Sequence, residues 1–207
     1  MDDERRKEIK RYNYNSLFRP GPNSNLNACV GTNGGPYDFG SYGEGFFEAG
    51  FQIVEAIKQG AWTTDILIYP AVFDFRHGIE LYIKHMTILA NRLLGTGRRM
   101  APGHGILQNW SSLTQLFADL HNPHFDALEI DIVKDILIDF VEIDATGQVF
   151  RYPEDNKGQP HLREISVINV EVLADGMRDV FDLFETWHSG LVALLEENHL
   201  STNSVHH

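Results

Sequence analysis

The stretch from Asp65 to Leu94, DILIYPAVFDFRHGIELYIKHMTILANRLL, constrains the fold more tightly than any other part of the chain. Val72, Phe75, Ile79, Tyr82, Met86, Leu89 and Leu93 recur at intervals of three and four. That spacing sets the apolar side chains in one seam along a helix of about six or seven turns. So long a seam needs other helices to cover it, which points to a bundle. Pro70 is expected in the first turn, where a missing N–H costs nothing, and Gly95 is placed to end the helix.

A second row, Arg76, Glu80, Lys84, Thr87 and Asn91, runs along the same helix away from the seam, with His77 at its edge. Arg76–Glu80 and Glu80–Lys84 are successive i,i+4 pairs. Two readings follow. On an open surface the row is a solvated face, each ion pair worth roughly a few tenths of a kcal/mol. Under cover, which Phe73 on the same side could provide, it is an Arg-His-Glu cluster with specific partners, and such clusters mark functional sites.

At 207 residues and 43% hydrophobic, the chain is long and apolar enough to pack a core. Its formal charge is −12, from 29 acidic against 17 basic residues, which argues against nonspecific coating of nucleic acid while leaving room for a small basic site. Cys29 is the single cysteine, so neither an intrachain disulfide nor a cysteine-based zinc site is expected. The start MDDERRKEIK does not read as a signal peptide, and no apolar run reaches membrane-spanning length. The expectation is a cytoplasmic protein with no membrane partner.

Residues 1–43 read as an N-terminal arm: a charged segment with a short helix ending near Tyr12, then a loop rich in Gly, Pro, Asn and Ser. GTNGG within it lacks the Gly-Lys-Ser/Thr ending of a phosphate-cradling loop. Residues 44–200 read as a single helical domain. EGFFEAGFQIVEAIK, residues 44–58, is a helix with Phe47, Phe51, Val54 and Ile57 on its apolar face. The long helix follows, then a loop at 96–105, then a helix from His104 carrying Leu107, Trp110, Leu113, Phe117 and Leu120. HNPH at 121–124 is a break. Asp126–Val141 is a helix with an acidic face, solvated rather than metal-binding, since no E-x-x-H partner exists. Residues 144–165 are turn-rich, with a short extended piece or hairpin expected. Asn169 is placed to cap a last helix over residues 170–197, whose seam is Leu173, Met177, Val180, Phe184, Trp187, Leu191 and Leu194, again by threes and fours, and 201–207 read as a flexible tail. The class is all-α, about five helices, the two longest expected to pair antiparallel.

Neither a G-x-S-x-G elbow nor H-E-x-x-H is present. His77 and His85 lie two turns apart, and His121 and His124 lack a third ligand, so no metal and no cofactor are expected. The remaining candidates are Arg76, His77 and His104 as catalytic groups, with Glu80, Lys84, Arg151 and Tyr152 as binding groups. An Arg beside a His suits RNA cleavage without metal: the imidazole moves the proton and the guanidinium neutralises charge on the phosphate. The plainer alternatives are a helix-start residue for His104, and for Arg151–Tyr152 a loop anchored by a buried Tyr and a salt bridge.

Three motifs lie in order. IYPAVFDFRHGIELYIKH resembles the YP…F-x-x-RH-x-x-E-L-x-LK stretch of uncharacterised prokaryotic proteins with a HEPN-like helical fold. Gly103-His104-Gly105-Ile106-Leu107-Gln108-Asn109-Trp110 resembles their GH-D-L-x-x-L-W stretch, with Gly105 at the Asp position. Phe150-Arg151-Tyr152-Pro153-Glu154-Asp155-Asn156-Lys157-Gly158 resembles their F-R-Y-P-x-D-x-x-G stretch. The similarity covers about residues 69–158. It implies an all-α bundle, a homodimer, and RNA or nucleotide binding in a defence or stress setting, with metal-independent endoribonuclease activity in many members. Those enzymes carry Arg, four to six residues, then His. Here His77 follows Arg76 directly, and Arg98 or Arg99 with His104 has that spacing across Pro102 and Gly103. The resemblance implies phosphate binding by Arg76, proton transfer by His77 or His104, orientation by Glu80, and added positive charge from Lys84 and Arg151. The alternative is a non-catalytic interaction or dimerisation module whose Arg/His/Glu stripe is structural.

Overall fold

The computed structural model describes residues 4, 17–31, 37–60, 64–97 and 105–204. The chain divides into two units, Met1–Tyr37 and Asp38–His207. In the first, a 3-10 turn spans Ser24–Leu26, with the Asn23 side chain accepting from the Asn25 amide. Leu17, Phe18, Leu26 and Val30 are exposed there.

The second unit is all-helical: α1 Phe39–Lys58, α2 Thr64–Leu94, α3 Ile106–Leu120, α4 Ala127–Ile143 and α5 Val170–Ser204. No helix among the described residues is long and apolar enough to cross a membrane. Helix starts follow local chemistry. Asp38 caps α1 by accepting from the Ser41 amide at 3.0 Å, Asp126 caps α4 through the Leu128 and Glu129 amides, and Asn169 caps α5 through the Glu171 and Val172 amides. The α2 seam is buried from Val72 to Leu89, and the α5 seam from Met177 to Leu191.

Four boundaries differ from the sequence expectation. α1 begins at Phe39, so Gly40 and Gly43 belong to a helix rather than to the arm. Pro70 lies well inside α2, which starts at Thr64. The Ile66 carbonyl that Pro70 leaves without an amide is on an exposed side of the helix, since both residues are exposed, and water can satisfy it. α5 continues to Ser204, through part of the expected tail. Residues 144–165 hold one isolated antiparallel bridge, Glu154 to Pro160, closed around Asp155, and no longer strand.

Glycines set the closest helix contact. A Cβ on Gly43 would lie 2.6 Å from the Tyr82 ring, one on Gly50 2.7 Å from Phe75, and one on Gly78 2.8 Å from Phe47. Pairing 43 with 82, 47 with 78 and 50 with 75 makes α1 and α2 antiparallel at short range, and α1 is the most extensive neighbour of α2.

α5 runs the other way from the expected pairing. Tyr82 meets Phe181, Phe184 and Glu185, while His85 meets His188, so α5 ascends with α2. Lys58 with Glu171, and Phe47 and Phe51 with Phe181, place α5 antiparallel to α1 instead. The cause is the connection 144–169. It carries the chain from the end of α4 back to the start of α2, where Phe150 meets Tyr69 with ring centroids 6.5 Å apart. α5 then begins beside the beginning of α2. Trp110 and Phe117 of α3 pack on Trp187 of α5 and complete the core.

Candidate functional site

The connection 144–169 lies over one side of α2 and splits the expected site residues into two groups. Arg76 and His77 are consecutive on a helix, so their side chains leave it about 100° apart.

Arg76 points beneath the connection and is 4% exposed. Its Nε donates to the Asp144 carbonyl oxygen at 3.2 Å and lies 3.7 Å from the Asp144 carboxylate. Its Nη1 lies 3.8 Å from Glu80, whose other oxygen accepts from Lys84 Nζ at 2.6 Å. Glu80 is 2% exposed and Lys84 is half-buried. The row is therefore covered, not a solvated face. Burial pushes the Arg76 guanidinium down from its ordinary pKa, and the charges of Asp144 and Glu80 oppose that shift. Asp144 turns the chain as well: its carboxylate accepts from the Gln148 and Val149 amides. Gly147, at φ 76°, passes so close that a Cβ there would meet Arg76 Nη1 at 2.6 Å. Arg76 Nη2 is buried without a hydrogen-bond partner.

His77 belongs to a different surface. Its ring stacks on Phe73, centroids 5.7 Å apart and planes 9° apart, and meets Phe46 of α1 edge-on at 4.5 Å. The Arg151 guanidinium carbon lies 5.4 Å from the centre of the Phe73 ring and 5.4 Å from that of Tyr152. Phe46, His77, Phe73, Arg151 and Tyr152 thus form one row of rings with a single arginine among them, from α1 across α2 to the connection. Arg151 is exposed, has no carboxylate partner among the described residues, and Tyr152 is 51% exposed. The loop is not anchored by a buried Tyr and a salt bridge; Phe150, buried beside it, does the anchoring.

Clefts open beside this row. One of about 290 Å³ is lined by Tyr69, Phe150, Arg151, Tyr152 and His161, and one of about 400 Å³ by Tyr69, Pro70, Phe73 and the same loop. A third, about 340 Å³, runs from Asp65 and Tyr69 to His161 and Ile168. The first and third motifs of the sequence therefore meet in space. In the second, Trp110 is a core residue, Asn109 is buried with both amide atoms unpaired, and His104 lies outside the described residues, as do Arg98 and Arg99.

Sequence reasoning missed Asp144 and His161. Asp144 had a signal: an Asp three residues before Gly147, at a helix end, is a turn-forming pattern. His161 had none. Among the described residues no group of three or more His, Cys, Asp or Glu is gathered as a metal ion would require. Comparison with protein-family models, with curated proteins and with solved structures gave no match.

Proposed function

We propose that the chain is a non-catalytic helical module that binds RNA or a nucleotide on the row formed by His77, Phe73, Arg151 and Tyr152. The observation that carries this reading is Arg151: a cation held between two rings, exposed, and without a carboxylate partner among the described residues. Aromatic faces and an arginine together stack bases and attract phosphate, each stacked base contributing about 1–3 kcal/mol. The −12 charge of the whole chain opposes a polyanion, so phosphate recognition has to rest on a local cation.

In this reading Arg76, Glu80, Lys84 and Asp144 are the support. Arg76 is enclosed and already paired, so it is not the phosphate ligand, and His77 stacks on Phe73 rather than facing Arg76. Catalysis by Arg76 with His77 is therefore set aside in favour of binding. The test is a titration of a labelled single-stranded RNA and of a labelled nucleotide with wild type and Arg151→Ala, followed by incubation with EDTA. Binding of either ligand that weakens about tenfold in the variant, with the RNA left intact, is the expected result. Equal affinity in both proteins, or RNA cleavage that survives EDTA, would overturn it.

A further inference from the structure

The clefts beside Arg151 narrow the ligand further, on the basis of the binding reading above. A strand of nucleic acid needs a track of cations for successive phosphates. Here Arg151 is the one cation on the cleft walls among the described residues, while Asp65 lines the neighbouring cleft beside Tyr69, and Glu154 and Asp155 line a fourth that shares Tyr152 and His161. A second and third phosphate would meet carboxylates. One phosphate would not. Asp155 is occupied, accepting from the Lys157 and Gln159 amides. Asp65 and Glu154 are exposed and line the clefts to either side rather than the one that holds Arg151.

The walls suit a ring. Tyr69 is 45% exposed, Tyr152 is 51% exposed, and Phe150 lines the same cleft with its ring 6.5 Å from that of Tyr69. His161 lines all but the outermost cleft, and its Nε2 is buried with no hydrogen-bond partner. An unpaired buried nitrogen is costly, and a ligand that brings a donor or acceptor to it removes that cost. The clefts, about 290 to 400 Å³ where they meet Tyr69, are of the size that holds one small molecule.

We infer that the cleft between α2 and the 150–162 segment takes a single nucleoside monophosphate. Its base lies against Tyr69 and Tyr152, and its phosphate meets Arg151.

Calorimetric titration of the full chain with the four ribonucleoside 5′-monophosphates, the matching nucleosides and single-stranded RNA decamers tests this. At least one monophosphate is expected to bind one-to-one. Its nucleoside should bind about tenfold more weakly, having lost the charge-assisted contact. Arg151→Ala should bring the monophosphate down to the nucleoside's affinity, and Tyr69→Ala should weaken both ligands together. Thermal melts matching wild type establish that both variants are folded; Tyr152→Ala, at an exposed position, repeats the stacking test if Tyr69→Ala melts early. A decamer that binds while every monophosphate fails would overturn the inference and leave the RNA-binding reading standing. Failure of both ligand classes would overturn both. A nucleoside that binds as well as its monophosphate would remove Arg151 from the site and overturn the inference too.

Discussion

Arg76 and Arg151 both lie near the connection 144–169, yet they are opposite kinds of arginine. Arg76 is enclosed, paired with Asp144 and Glu80, and packed under Gly147. Arg151 is exposed, flanked by Phe73 and Tyr152, and has no acidic partner among the described residues. The first has spent its charge on the fold, and the second keeps it for something that arrives from solution. A motif that lists an Arg next to a His does not say which kind it names. Burial and partners do. The two regions are linked, because the turn that Asp144 holds against Arg76 leads within a few residues to Arg151.

The sharpest way to break the comparison is to remove the partner of the enclosed arginine. Asp144→Ala takes away the carboxylate beside Arg76 and the acceptor for the Gln148 and Val149 amides. Leaving a buried charge short of its partner costs about 3–5 kcal/mol, so the urea midpoint should fall by a large fraction of the whole stability. Gly147→Ala acts on the same contact from the other side. A Cβ at φ 76° costs of order 1–2 kcal/mol before the clash with Arg76 is counted, and urea unfolding should show at least that loss. Arg151→Ala is the counterpart. Its unfolding curve should stay within about 0.5 kcal/mol of wild type, as for an exposed position, while ligand affinity drops.

A smaller effect separates both regions from the far end of α2. His85 is buried against Gly40 and His188, with Asp38 3.7 Å from its Nδ1. Burial holds its pKa below the ordinary value of 6.5; Asp38 and Glu185 oppose that shift, while His188 and Arg92 add to it. The unfolded chain therefore takes up the proton first as pH falls. Stability from this group is fully present above pH 6.5 and declines as pH drops from 6.5 toward the folded-state value. His85→Gln should flatten that part of a stability profile measured by urea unfolding, without altering ligand affinity.

Much of the bundle was legible because periodicity survives any loop error. The seams Val72–Leu89 and Met177–Leu191 lie where threes and fours placed them. The glycines misled: Gly40 and Gly43, beside Pro36 and Gly35, read as loop, but they are where α1 comes close enough to touch Tyr82 and His85. Nothing local distinguishes a glycine that bends a chain from one that lets two helices approach. The direction of α5 was illegible for a related reason, since seams carry no sign and the reversal comes from the path of 144–169. For the candidate site, residue types were legible and partners were not. Arg76 and Glu80 could be paired by spacing, but Asp144 reaches Arg76 only through the fold, and Phe73 joins His77 to Arg151 only because the connection crosses α2 there.

The most direct test of the division between the two arginines is urea unfolding of Arg76→Ala beside Arg151→Ala. The Arg76→Ala midpoint should fall, by about 3–5 kcal/mol of stability, because two buried carboxylates, Glu80 and Asp144, lose the guanidinium between them, while the Arg151→Ala curve overlays wild type. An Arg76→Ala curve that overlays wild type would contradict it, freeing Arg76 from its structural role and returning it to the list of residues that could meet a phosphate.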